Sequence, residues 1–167
     1  MPTPASARSD RALDPEERLQ HALDLAYRLL SRRDRTEAQV RDHLSARAVA
    51  GAIAEQTLEE LRRAGYLDDA RYARRFAEDR RTLDDWGARR IEQALLRAGV
   101  ARELAGAAAQ DRPPEAEVDA AVELLRRRFP VAPETERDRS RALGLLVRRG
   151  FDFELACDAI RAHRRGA

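Results

Sequence analysis

The stretch from Ile91 to Ala105, IEQALLRAGVARELA, returns in outline 51 residues earlier, from Val40, as VRDHLSARAVAGAIA, and 51 residues later, from Ala142, as ALGLLVRRGFDFELA. The fifth position is leucine in all three copies (Leu44, Leu95, Leu146) and the fifteenth is alanine (Ala54, Ala105, Ala156). The tenth is Val49, Val100 or Phe151, and the fourteenth is Ile53, Leu104 or Leu155. A fixed period near fifty residues implies stacked copies of one small unit. A unit of that size buries only roughly 60% of its unfolded surface, so each copy is expected to lean on its neighbours.

Working outward from these columns gives three short helices per unit. Leu19, Ala22, Leu23, Ala26, Leu29 and Leu30 recur at steps of three and four, which predicts a helix from Glu16 to near Ser31. Thr36 and Gln39 have the spacing of a capping box, so a second helix is expected from Glu37 to Arg47 and a third from Ala50 to Ala64, closed by Gly65. Asp68 is a good N-cap for the next helix, which carries Ala70, Ala73, Phe76 and Ala77 on one face. Asp84 and Asp85 are read as the cap that follows, with helices over Ala88 to Ala98 and Arg102 to Gln110. Pro113 and Pro114 break the chain before a last set over Glu115 to Phe129, Glu136 to Arg149 and Phe153 to Arg164. The fold class expected is therefore all-α, an elongated array of three tandem three-helix units over residues 15–66, 67–112 and 113–167, preceded by a disordered tail over residues 1–14.

The turn between second and third helices explains part of the register. Gly99 before Val100, and Gly150 before Phe151, fit a helix that ends on a left-handed glycine with an apolar residue folding back. The first copy has Ala48 there, and alanine in that conformation costs about 1 kcal/mol or more. A longer or altered turn is expected in that copy.

Composition narrows the function classes. The chain has 32 basic and 30 acidic residues, and every basic one is arginine. No basic tail exists, so a cationic surface has to arise by sorting charges onto opposite faces. Guanidinium groups also grip phosphate or carboxylate as a planar fork, which lysine cannot copy. Cys157 stands alone, which excludes an internal disulfide, and it reads as a small buried apolar residue. His21, His43 and His163 lack metal-ligand spacing and read as surface or boundary residues. No phosphate loop, nucleophile with its base, or metal cluster is present in the pattern, so neither catalysis nor a cofactor is expected. No apolar run approaches 18 residues and Met1 to Asp14 lacks the apolar core of a signal peptide, so a soluble cytoplasmic protein away from the membrane is expected.

Certain strings carry a family likeness. Gly65 to Ala73 (GYLDDARYA), Gly87 to Ile91 (GARRI) continuing through Leu95 to Gly99, and Arg148 to Phe151 (RRGF) resemble the RecX family of bacterial recombination regulators. Leu29 to Asp34, followed by Thr36, Glu37 and Val40, is similar to that family's opening helix pair, so the resemblance spans residues 16–164. It implies a non-enzymatic modulator of the RecA recombinase that lies in the groove of the RecA filament on single-stranded DNA. It further implies inhibition of the filament's ATPase, strand-exchange and coprotease activities, with consequences for DNA repair and the SOS response. The partners implied are the RecA filament, with single-stranded DNA as part of it, and weak direct DNA binding by a monomer.

A row of units with arginines facing one way suits such a groove, each unit adding modest affinity and the covalent link supplying avidity. The candidates flank the repeated helix. Arg89 and Arg90 precede Ile91, Arg139 and Arg141 bracket Ser140, and Arg148 and Arg149 close that helix. Arg32, Arg33 and Arg35 lie in the first inter-helix turn, and Arg126, Arg127 and Arg128 end a helix. Arginine near a helix C-terminus also complements the macrodipole, which accounts for several of these without a partner. Arg89 and Arg90 sit in a first turn, where positive charge is unfavourable, and are the stronger candidates. Trp86, the single tryptophan, is either packing or a stacking platform, and Tyr66 and Tyr72 read as packing between units. Two other classes fit the residues: a direct DNA-binding protein of helix-turn-helix type, and a helical scaffold for another protein.

Overall fold

A computed structural model describes residues 14–166, so the tail expected over residues 1–14 lies, apart from Asp14, outside the described residues. The described chain is all-α, with nine helices and no strand among those residues. They are α1 (Pro15–Leu30), α2 (Glu37–Ser45), α3 (Gly51–Arg63), α4 (Asp69–Asp84), α5 (Ala88–Arg97), α6 (Arg102–Ala109), α7 (Pro114–Arg128), α8 (Glu136–Arg149) and α9 (Phe153–Arg165). The chain divides into two compact units, one holding the residues up to Tyr72 with Ala98–Val100, the other holding Ala73–Arg97 and the residues from Ala101 on.

Local chemistry sets the helix ends. Asp14 accepts from the N–H groups of Glu16 and Glu17 while Glu17 reaches back, and Thr36 and Gln39 form the same reciprocal box at α2. Asp68 accepts from the Arg71 N–H at 2.9 Å and so opens α4. Pro114 begins α7, where its missing N–H would have had no partner within the helix. Asp84 and Asp85 do not cap α5 as the pattern suggested: Asp84 is the last residue of α4, and Asp85 takes φ 54°.

The columns of the repeat are the cores. Val40, Ile91 and Ala142 are fully buried, as are Leu44, Leu95 and Leu146, and the columns at Val49 and Ala54 are buried in all three copies. In the first compact unit Ala22, Ala26, Val40, Leu44, Leu58 and Leu61 gather in one cluster. In the second, Leu124, Leu125, Ala142, Leu146, Phe151 and Ile160 do the same. Each leucine so placed contributes about 1.5–3 kcal/mol relative to exposure.

Successive copies join through two repeated hydrogen bonds. The Thr36 hydroxyl donates to the Ala98 carbonyl at 2.6 Å, and 51 residues on the Gly87 N–H donates to the Arg149 carbonyl at 2.8 Å. The Glu37 N–H donates to the Asp69 carboxylate at 3.0 Å, and 51 residues on the Ala88 N–H donates to the Glu117 carboxylate at 3.0 Å. The start of each of these second helices is thus capped by the copy that follows, satisfying donors that have no partner within the helix.

This joint explains the glycine column. A β-carbon on Gly99 would lie 2.3 Å from Ala38 Cβ, and one on Gly150 would lie 2.3 Å from Arg90 Cβ. Both glycines are left-handed, with φ 82° and 92°. Ala48 is left-handed too, at φ 59°, which corrects the expected altered turn. Its N–H donates to Ser45 and that of Val49 to Leu44, the same pattern that Gly150 and Phe151 make with Val147 and Leu146. No copy precedes the first among the described residues, so a methyl group there meets no docked helix.

Three single-residue expectations change. His163 is buried rather than peripheral, its Nε2 2.9 Å from the Phe129 carbonyl oxygen. Cys157 is half-buried rather than buried. Tyr66 is more than half exposed, and its ring contact is with Tyr27, edge-on at 5.0 Å within its own compact unit.

Candidate partner-binding surface

The arginines expected to act alike, together with Arg97 and Arg137, do not share one environment. A first group is engaged in holding the second compact unit together. Arg90 lays its guanidinium 4.2 Å from the Trp86 ring centroid and donates to the Arg148 carbonyl at 3.1 Å. Arg149 donates to the Asp84 carbonyl, and Arg127 donates to Asp85 at 2.6 Å. Trp86 itself is half-buried, with Arg80 on its ring at 5.5 Å and Phe76 edge-on at 6.2 Å. Its face is occupied by a guanidinium, a cation–π contact of about 0.5–1 kcal/mol, and no open stacking platform is left on that side.

The second group is paired locally on exposed helix surface. Arg126 meets Glu123 at 2.6 Å, and Arg139 meets Glu136 at 2.7 Å while donating to the Glu134 carbonyl. Arg89 pairs with Asp152 at 2.5 Å, and Arg141 stands 3.7 Å from Asp138. Exposed pairs of this kind contribute about 0–1 kcal/mol, so a partner displaces them at little cost. Arg32 and Arg33 are exposed in the turn between α1 and α2, and Arg35 is half-buried there with its Nε making no hydrogen bond.

The third group has no ion-pair partner among the described residues: Arg97, Arg128, Arg137 and Arg148, all exposed. They surround two adjoining recesses on the second compact unit. One, of about 730 Å³, is lined by Arg128, Arg137, Arg141 and Arg148 with Ser140, Phe129 and Leu145. The other, of about 360 Å³, is lined by Arg89, Arg90, Arg97 and Arg148 with Val147 and Phe153 among its walls. Arg148 belongs to both, and no carboxylate lines either. A chain of nearly balanced charge therefore carries one continuous face of seven arginines from α5, α7 and α8, and low-dielectric walls concentrate their field.

Of the residues named from sequence, the fold brings together Arg89, Arg90, Arg128, Arg141 and Arg148. It does not bring Arg32, Arg33, Arg35, Arg126, Arg127, Arg139, Arg149 or Trp86 to those walls. Sequence reasoning missed Arg97, Arg137, Val147 and Phe153. Phe153 had a detectable signal: its column holds Gly51 and Arg102 in the other copies, so a large apolar side chain there is outside the core pattern. Among the described residues no group of histidine, cysteine or carboxylate could hold a metal ion, and no helix is long and apolar enough to cross a membrane.

Comparison with known proteins gives the surface a context. A family model described as the RecX first three-helix domain matches residues 22–61, and one described as the RecX second three-helix domain matches residues 68–108. The chain is 35% identical over 157 residues to a Regulatory protein RecX of Deinococcus radiodurans, covering 94% of this chain and 75% of that protein. It is 38% identical over 140 residues to a Regulatory protein RecX of Thermus thermophilus, covering 84% of this chain and 90% of that one. In fold it is similar to the crystal structure of RecX from Lactobacillus salivarius, with a TM-score of 0.80 at 19% identity over 89% of this chain and 98% of that one.

Proposed function

The chain belongs to the RecX family of regulatory proteins, and from that premise we propose that it regulates RecA by binding the recombinase filament on single-stranded DNA. It lies in the filament groove as a monomer of three tandem three-helix units, over residues 15–66, 67–112 and 113–167, in the cytoplasm. There it inhibits ATP hydrolysis, strand exchange and coprotease activity, without catalysis or cofactor of its own.

The observation that supports this reading is the face of seven arginines, with no carboxylate among the residues lining its two recesses. A filament of protein and nucleic acid presents carboxylates and phosphates in one groove, and guanidinium groups bind both in bidentate geometry. The site residues are Arg97, Arg128, Arg137, Arg141 and Arg148, with Arg89 available once Asp152 is displaced. Arg90 lines the face while engaged with Trp86 and the Arg148 carbonyl, and Arg127 and Arg149 hold Asp85 and the Asp84 carbonyl.

The test is RecA ATPase on single-stranded DNA, titrated with this protein below stoichiometry. Hydrolysis should fall well before one protein is present per recombinase protomer, and unchanged hydrolysis across the titration rejects the reading. Tight, sequence-selective binding to DNA without RecA, falling steeply with salt, would instead mark a direct DNA-binding protein.

A further inference from the structure

The smaller of the two recesses differs from the larger in one respect: its arginines stand beside exposed apolar side chains. Phe153 is 57% exposed and Val147 is 47% exposed, and both line it. Phe153 begins α9 directly after Asp152, which caps that helix through the Glu154 N–H at 2.9 Å. The ring is thus held on a fixed helix start. Two of the four arginines at this recess are engaged, Arg89 by Asp152 and Arg90 by Trp86. Arg97 and Arg148 are left with uncompensated charge.

We propose that this recess docks a segment of a protein partner in which one or two carboxylates stand beside an apolar side chain. The proposal rests on reading the arginine face as partner-binding. A polynucleotide backbone matches the guanidinium groups and a base matches the Phe153 ring, but the methyl groups of Val147 offer no plane for stacking. An apolar side chain seated between Phe153 and Val147 removes both from water, and flanking carboxylates meet Arg97 and Arg148 at the dried rim. Aromatic and arginine anchors ringed in this way dominate protein interfaces. The larger recess, where no exposed apolar side chain lines the wall, lacks this combination.

The experiment uses the whole chain and two fluorescent probes: a dodecapeptide of alternating glutamate and leucine, and a twelve-nucleotide oligothymidylate. Anisotropy is read for the wild type, Phe153→Ser, Arg97→Glu and, as a control at a more exposed apolar position away from the recess, Leu83→Ser. The expected result is peptide binding weakened at least tenfold by Phe153→Ser and by Arg97→Glu and unchanged by Leu83→Ser. Oligothymidylate binding should be unaffected by Phe153→Ser. Circular dichroism confirms the helicity of each variant. No binding of the peptide by the wild type, or equal binding by Phe153→Ser, overturns the proposal. Loss of oligothymidylate rather than peptide in Phe153→Ser overturns it in favour of base stacking. None of these readings involves RecA, so a failure of the ATPase titration is separately visible.

Discussion

Gly150 lies against Arg90 so closely that a β-carbon on the glycine would come within 2.3 Å of Arg90 Cβ and 2.5 Å of its backbone nitrogen. Ala48 occupies the same column with the same left-handed backbone and no docked neighbour among the described residues. One conformation is therefore used three times in this column, at Gly99 and Gly150 where glycine is required by contact and at Ala48 where it is merely preferred.

Substitution separates the two requirements. Gly150→Ala meets both the left-handed penalty and overpacking against backbone, and should destabilise by about 2–4 kcal/mol. Ala48→Gly relieves strain and should be neutral or stabilising by up to about 1 kcal/mol, after the entropy glycine adds to the unfolded chain. Urea unfolding of both variants checks this, and similar midpoints for the two would contradict the joint described above.

Glu117 should behave as a structural carboxylate. It is buried, accepts the Ala88 N–H and pairs with Arg112 at 3.3 Å. Glu117→Ala leaves a helix-start donor and a half-buried guanidinium without it, a cost of about 1–3 kcal/mol. Glu117→Gln keeps an acceptor for the amide and should recover part of the loss in thermal unfolding.

Asp69 gives a pH signature. Burial raises its carboxyl above the ordinary value of 3.8, the Glu37 N–H pulls it down, the Glu37 and Asp68 charges push it up, and Arg41 pulls it down. The net direction is upward, so the folded state binds a proton more tightly than the unfolded one. The contribution of Asp69 to stability is then present at low pH and declines as pH rises from the ordinary value through the raised one. Asp69→Asn should remove that decline while retaining an acceptor for Glu37. Stability measured from acid to neutral pH in both proteins tests the sign, and a wild-type slope no steeper than that of Asp69→Asn would refute it.

The arginines divide by what their loss should change. Arg141→Glu combined with Arg148→Glu should weaken inhibition of RecA ATPase at least tenfold with helicity and unfolding midpoint little altered. Arg149→Ala should do the reverse, lowering the midpoint by removing the donor to the Asp84 carbonyl. Arg90→Glu belongs with Arg149, since it reverses charge against Trp86 and the Arg148 carbonyl. Parallel loss of inhibition and stability in all of them would erase the distinction.

The core was legible in advance because its signal is periodic: Leu44, Leu95 and Leu146 announce one another at a fixed interval, and each lies fully buried. Helix starts capped from within, at Thr36 and Asp68, were legible for the same local reason. The start of α5 was not, because Glu117 stands 29 residues away from the amide it accepts, and Asp84 and Asp85 offered a nearer but unused solution. The arginine face was half legible. First-turn charge drew attention to Arg89 and Arg90, yet the strain that singled them out is relieved inside the molecule by Asp152 and Trp86. Arg97 and Arg137 became distinct only when helices far apart in sequence were seen to leave them without a carboxylate.

The caps supplied by the following copy also bear on synthesis. As the chain leaves the ribosome, α5 emerges ahead of Glu117 and of the Arg149 and Gly150 carbonyls that complete its first turn. The N–H groups of Gly87, Ala88 and Arg89 have these partners only once those residues have been added. The helix α8, which carries its own cap in Thr135, needs no such successor. Completion of the start of α5 is in this way tied to α8, and an array truncated before α8 would leave the Gly87 and Arg89 amides without these partners.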